Sequence, residues 1–281
     1  MKAGRPSRTA RFVALGRALA DAGLSHIPDF HDPTARVFLS DRGKQALAKA
    51  ARAARDGKKR IRAEMARGYA EVMGLRTVVI DAAVRDAFAR GARQLVILGA
   101  GFDGRAWRMR ELEGVRVFEV DHPATQAEKR ARVPELPPPV GIVSFVPVNF
   151  ARDSLDTALA RAGHDRSSPT CWIWEGVVMY LTRDAVNATL GAIAGRSAPG
   201  STLIVNYHSI HRRLFMRLAL RWIGEPQLSA WTPSDMAADL RAAGFVVSED
   251  SGVVDWNERF AHGKGRVQRA KYMRVAVARN H

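Results

Sequence analysis

Six consecutive residues carry the clearest chemical signal in the chain: Gly99-Ala100-Gly101-Phe102-Asp103-Gly104. They match the spacing G-x-G-x-x-G and directly follow the apolar run QLVIL at 94–98. Glycines placed this way fold a tight turn and let a nucleotide approach the backbone. Twenty residues past Gly101 stands Asp121, at the end of the run VRVFEV (115–120) and close to Glu119. A carboxylate at the tip of a second strand can accept hydrogen bonds from both hydroxyls of a ribose. The glycine spacing alone is a weak signal, but strand, turn, helix and acid in this order point to a nucleotide site.

Asp103 discriminates among nucleotides. In a dinucleotide site the loop holds a pyrophosphate at the helix N-terminus, and a carboxylate within the loop would face phosphate charges of its own sign. At an effective dielectric of about 20, like charges about 4 Å apart repel by roughly 4 kcal/mol. S-Adenosylmethionine carries no phosphate and presents a sulfonium and an ammonium group, so an acidic residue suits it. The glycine fingerprint by itself keeps an NAD-type oxidoreductase as the competing enzymatic reading.

The elements that must position these residues alternate. The text from 7 to 90 is helical, with apolar residues from Ile61 to Phe88 recurring at spacings of three and four. Breaks are expected at Asp56-Gly57 and near Gly74, and an earlier turn at His31-Asp32-Pro33. After Gly91, strands are expected at 94–98, 115–120, 141–148, 171–174, 201–207, 245–250 and 272–278, the last two as a hairpin. Helices are expected at 104–112, 123–132, 153–162, 183–195, 208–223 and 233–243. Such alternation predicts an α/β fold: a doubly wound, mostly parallel, seven-stranded sheet that binds ligands beyond the carboxyl ends of its strands. Residues 1–90 read as an N-terminal helical cap of the same domain, and 91–281 as its α/β part.

LVILGAGFDGRAWRM (95–109) followed by VFEVDHPATQAEK (117–129) resembles the leucine carboxyl methyltransferase-like group of class I methyltransferases, including its bacterial small-protein branch. SRTARFVALGRA (7–18), DPTARVFL (32–39), ARGYAEVMG (66–74) and WEGVVMYLTRDAV (174–186) extend the likeness collinearly. The resemblance implies a Rossmann-like S-adenosyl-L-methionine-dependent O-methyltransferase and assigns roles by position. Arg67, in the ARGY stretch, matches an arginine that grips the methionine carboxylate of the cofactor, a contact suited to its planar fork. Gly99 and Gly101 would line the methionine portion, Asp121 would hold the ribose, and Glu175 matches a glutamate near the cofactor. Asn149 and Phe150 stand where the family has an Asp-Leu pair at the adenine; an Asn oxygen can still accept from the adenine amino group. Gly104 stands where relatives often have Thr.

Methyl transfer to an acceptor mainly requires alignment and the exclusion of water. A carboxylate acceptor, with an ordinary pKa near about 4, needs no base at neutral pH, whereas a hydroxyl or phenol does. Tyr180, Tyr207, His208 and His211 fall just after the fourth and fifth expected strands and are the pocket candidates. His208 and His211 resemble half a metal site, but no third ligand follows at a suggestive spacing, and no metal is expected. Arg212, Arg213 and Arg217 could hold an acceptor carboxylate or simply belong to a surface helix. The expected acceptor is a carboxylate of a small molecule or of a peptide terminus.

Composition sets the remaining bounds. The chain has 281 residues, of which 47% are apolar and 26% charged, as in ordinary globular enzymes. Its longest apolar runs are far shorter than a membrane span, and no signal-peptide core follows the basic start. A single cysteine, Cys171, fits a reducing cytoplasm. The formal charge is +16, and residues 1–90 hold 19 Lys and Arg against 9 Asp and Glu. That excess could attract a nucleic acid or an acidic small molecule, or it could be a solvated basic surface. No stripe of aromatics interleaves the arginines as single-strand binding would want, so an RNA-binding or RNA-modifying protein is the less favoured alternative, and no membrane partner is expected.

Overall fold

The structure is a computed structural model and describes residues 7–56, 60–150, 152–209 and 228–280. Before the sheet come helices α1 (Arg8–Leu19), α2 (Thr34–Val37), α3 (Asp41–Asp56) and α4 (Arg60–Ala89). The sheet and its crossovers follow as β1 (Gln94–Leu98), α5 (Arg105–Arg108), β2 (Arg116–Asp121), α6 (Pro123–Arg130), β3 (Ile142–Pro147) and α7 (Leu155–Arg161). Next come β4 (Thr170–Trp174), α8 (Arg183–Gly195), β5 (Thr202–His208), α9 (Pro233–Ala242), β6 (Phe245–Gly252), α10 (Val253–Ala261) and β7 (Met273–Asn280).

The sheet order is β3-β2-β1-β4-β5-β7-β6. Neighbours from β3 to β5 are parallel, while β7 runs antiparallel to both β5 and β6. The direction of the winding reverses between β1 and β4, and at such a switch point the strand ends open a crevice. Strands β1, β4 and β5 are buried along their whole length, which explains their unbroken apolar text. The edge strands β3 and β6 are only partly covered.

Apolar cores fill both faces. On one, Leu75, Val79, Ile80 and Val84 of α4 pack with Leu95, Ile97, Ile173 and Ile204. On the other, Leu155, Leu159, Leu190 and Leu240 pack with Val96, Leu98, Trp172 and Val205. A third cluster, around Ala14, Ala18, Phe38 and Phe102, joins the leading helices to the glycine turn.

Three local expectations change. Helix α4 runs unbroken through Gly74, because a Cβ there would stand 2.7 Å from Ile27 Cδ1; the glycine admits a close neighbour rather than ending the helix. The expected helix at 104–112 is two short turns, α5 and a 3₁₀ turn over Arg110–Leu112. Helix α10 separates the last two strands, starting where Asp255 accepts the Gly252 N–H at 2.8 Å. The helix expected at 208–223 lies almost wholly outside the described residues, and His211, Arg212, Arg213 and Arg217 lie there with it.

Candidate active site

Strand register gathers the site. Leu98 stands opposite Val120 on one side and Trp174 on the other, so Gly99, Asp121 and Glu175 leave the sheet side by side. Gly99 has φ +67° and Gly101 φ +49°, a left-handed backbone that favours glycine. A Cβ on Gly99 would also fall 2.2 Å from Val177 Cγ2. The Gly99 and Ala100 N–H groups both donate to the Val120 carbonyl, at 2.8 and 3.0 Å, which fastens the turn to β2.

Asp121 sits where the spacing predicts, at the tip of β2. Its Oδ2 accepts the Gly101 N–H at 2.5 Å and its Oδ1 the His122 N–H at 2.6 Å. A carboxylate has about four lone-pair positions, so this orientation leaves acceptor capacity on both oxygens. Burial pushes its pKa above the ordinary value, against the pull of the Gly101 and His122 N–H groups.

Asp103 is in the turn, but it does not offer a free charge. It pairs with the Arg105 guanidinium and accepts the Arg105 N–H at 2.8 Å. Burial alone would raise its pKa, yet Arg105, with Arg17 and Lys129, holds it below the ordinary value. The acid suited on sequence grounds to the cofactor's cations is thus already paired with a cation of the protein, Arg105.

Arg67 points instead toward α3. It is exposed and donates to the Ala54 carbonyl on α3 at 3.3 Å. The arginine at the site is Arg76, nine residues further along α4 and about 13 Å along its axis. Arg76 is buried, and its Nε lies 2.7 Å from Glu175 Oε1. Glu175 Oε2 meets Arg105 Nη1 at 3.0 Å, so one carboxylate is held between two guanidiniums. The signal for Arg76 is a charge set among Met73, Leu75, Val79 and Ile80 on the core side of a helix, where an unpaired charge is not tolerated.

Beyond β3, Asn149 and Phe150 form the turn into α7. The Asn149 N–H donates to Asp153 Oδ2 at 2.7 Å, and its carbonyl accepts from Arg152 and Asp153. Both residues are half-buried, with Phe150 against the core below. The Val148 N–H donates to the Asp121 carbonyl at 2.9 Å, which brings this turn alongside the end of β2.

The acceptor-side candidates divide. Tyr180 closes the 3₁₀ turn after β4 and is half-buried. His208 ends β5 and stands edge-to-face on Tyr272, ring centroids 4.8 Å apart. Tyr207 points elsewhere: its hydroxyl donates to Asp250 Oδ2 at 2.6 Å and accepts from Arg274 Nε at 3.1 Å. Strand alternation sends neighbouring side chains to opposite faces, so Tyr207 and His208 could not both face the pocket. Tyr69 and Tyr272 were not singled out in the sequence, yet the Tyr69 phenol feels Arg76, Tyr180, Arg17 and Tyr272, and burial raises its pKa above the ordinary value.

A parallel sheet with a glycine turn at β1, an acid at the tip of β2 and a charged pair at the switch point is the architecture of a class I S-adenosylmethionine-dependent methyltransferase. The leucine carboxyl methyltransferase family matches residues 10–194, and the chain belongs to that family. A relative from Streptomyces coelicolor, named as an S-adenosyl-L-methionine-dependent methyltransferase, is 35% identical over 223 residues, covering 78% of this chain and 76% of its own. A relative from Mycobacterium marinum with the same description is 34% identical over 254 residues, covering 88% and 79%. A crystal structure of a DUF574 family protein from Streptomyces avermitilis superposes with a TM-score of 0.61 over 98% of both chains, at 15% identity. Magnesium protoporphyrin IX methyltransferase from Synechocystis, with S-adenosylhomocysteine bound, shares the fold with a TM-score of 0.51 at 13% identity, covering 88% of this chain and 97% of its own. Among the described residues no helix is long and apolar enough to cross a membrane.

Proposed function

We propose that this methyltransferase acts on oxygen, methylating a carboxylate of a small molecule or of a peptide terminus. The observation that carries this reading is the engagement of the acids and of the strand-end phenol around the site. Asp81, Asp103 and Glu175 are held by arginines, Asp121 by backbone N–H groups, and Tyr207 by Asp250 and Arg274. None of these five side chains is poised to take a proton from an acceptor. An acceptor that is already ionised needs no such base. The carboxyl acceptor in the family's description agrees with this reading.

When bound, S-adenosylmethionine supplies a methyl group activated by its sulfonium leaving group. Arg76 and Glu175 present opposite charges suited to the carboxylate and ammonium of its amino-acid end. With Gly99 and Gly101 shaping the turn, Asp121 would accept from the ribose hydroxyls, and Asn149 and Phe150 would stand at the adenine end. A hydroxyl or phenol acceptor is the second reading, motivated by His208 at the end of β5 beside Tyr272. We assign no role to nucleic acid or membrane, and we place the enzyme in the cytoplasm. The single cysteine, buried in β4 with its thiol pushed up to about 12, suits a reducing compartment.

The test has two parts. Calorimetry should show binding of S-adenosylhomocysteine and none of NAD; the reverse overturns the cofactor reading. Turnover of carboxylate acceptors should give a base-labile ester at a rate nearly flat from about pH 6 to 9. A rate that climbs through about pH 6.5 and is lost in His208→Ala would transfer the assignment to a hydroxyl acceptor.

A further inference from the structure

Arg76 and Glu175 end a longer chain of buried charges. Arg105 is 1% exposed and is its centre. Its Nε meets Asp81 Oδ1 at 2.7 Å, and its Nη1 is shared between Asp103 Oδ2 and Glu175 Oε2. Asp81 also takes Arg108 through two hydrogen bonds, at 2.6 and 3.0 Å. Arg108 lies 3.7 Å from Asp32 Oδ2, and Asp32 pairs with Arg17 at 2.9 Å. Arg17 then donates to the Phe102 carbonyl at 2.5 Å, inside the glycine turn itself. Four arginines and four carboxylates alternate along this path, so the cluster is close to neutral.

Buried ion pairs are an expensive way to fill a core, because each ion loses several kcal/mol of hydration, and well-packed apolar side chains often replace them without loss. What such a cluster does supply is orientation. Glu175 is the informative member. Arg105 fixes its Oε2, while its Oε1 faces only Arg76 among the pairs observed. Arg105 cannot itself turn away, since Asp81 and Asp103 hold it from two sides. Burial would raise the Asp81 pKa, but Arg108 and Arg105 bring it down to about 2, so this anchor stays ionised across the physiological range.

We propose that Arg105, anchored by Asp81, is a positioning residue for the amino-acid end of the cofactor: it pins Glu175 by one oxygen so that the other, with Arg76, presents a fixed pair of opposite charges to a zwitterion. This inference rests on the assignment of Arg76 and Glu175 made above. It gives the leading helices a role beyond cover, because Asp32 and Arg17 tie the cluster to α1 and to the turn.

The experiment compares two ligands on the full chain. S-Adenosylhomocysteine has the amino-acid end; 5′-methylthioadenosine keeps adenine, ribose and thioether but lacks it. In Asp81→Asn and in Arg105→Lys, affinity for S-adenosylhomocysteine should fall by about tenfold or more, as the loss of charge-assisted contacts implies. Affinity for 5′-methylthioadenosine should stay within about threefold, since its contacts lie outside the cluster. Equal losses for both ligands, or an unchanged affinity for S-adenosylhomocysteine in a folded variant, overturn the proposal. So does unfolding of both variants, which would make the cluster a brace of the fold. If the wild-type chain binds neither ligand, the cofactor assignment itself fails, a result distinct from unselective loss in the variants.

Discussion

A Cβ built on Gly104 falls 1.7 Å from Thr34 Oγ1 and 2.7 Å from Thr34 Cβ, so the two residues share one volume. Thr34 is buried there, its hydroxyl donating to Asp32 Oδ1 at 2.5 Å. A threonine from the leading helices thus fills the space that a side chain on Gly104 would need. Gly104→Ala should therefore displace Thr34 and destabilise the protein by about 1–3 kcal/mol through overpacking. Thr34→Gly should recover part of that loss in the double variant, giving a clear non-additive cycle in denaturant unfolding. Additive losses would show that the two side chains do not compete.

Asp121 supplies the second expectation. Asp121→Ala removes a carboxylate that orders the turn through Gly101 and is oriented toward the ribose in the proposed complex. Two charge-assisted hydrogen bonds at about 1.5–3 kcal/mol each predict a loss of S-adenosylhomocysteine affinity of at least about tenfold. Calorimetry on a variant shown to be folded measures it. Undiminished affinity would remove Asp121 from the ribose site.

The legible parts of this protein are those where one short segment fixes the outcome. QLVIL, TCWIW and STLIVNY are strands because they are buried on both faces, and that burial leaves an unbroken apolar text. Gly99 and Asp121 are readable because a turn between parallel strands places them at a set spacing. Arg76 is harder: both Arg67 and Arg76 lie on α4, and only packing against the sheet shows which of them faces the site. The role of Asp103 depends on Arg105, which the turn spacing does not predict. Tyr207 and His208 are adjacent on one strand, so their fates depend on which face carries Asp250 and Arg274. Long-range charge pairing and strand facing are tertiary facts, and a linear pattern does not carry them.

His164 gives the chain a pH-dependent element away from the site. It is buried between Phe118 and Trp172, and its Nδ1 accepts from Arg196 Nε at 3.3 Å. The ring proton therefore sits on Nε2, toward Thr170 Oγ1 at 3.1 Å. Burial and the neighbouring Arg196 lower its pKa from 6.5 to about 4. A depressed pKa of this kind contributes stability that is complete above pH 6.5 and is lost as the pH falls through about 4. At about 1.4 kcal/mol per unit the loss is on the order of 3 kcal/mol. Unfolding midpoints measured from pH 7 down to 4 should fall steeply in the wild type and less steeply in His164→Gln. Parallel curves for the two proteins would refute the assignment.

The last expectation separates structure from catalysis at the end of β5. Tyr207 is fully buried, and its phenol is held between Asp250 and Arg274, which also pair with each other at 2.9 Å. Burial, reinforced by the Asp250 carboxylate, raises the phenol pKa above its ordinary value, so no phenolate is on hand near neutral pH. Tyr207→Phe keeps the ring and deletes the hydroxyl, while Asp250 and Arg274 retain one another. The variant should lose about 1–3 kcal/mol of stability and keep both its maximal rate and the shape of its pH–rate profile. A general base would behave differently, its removal costing about 10²–10⁴-fold in rate. Profiles of Tyr207→Phe and His208→Ala recorded side by side decide the matter. Two flat profiles near the wild-type rate are what a carboxylate acceptor requires. A collapse in Tyr207→Phe alone would place the phenol in the reaction, and the structural role given to it here would have to be withdrawn.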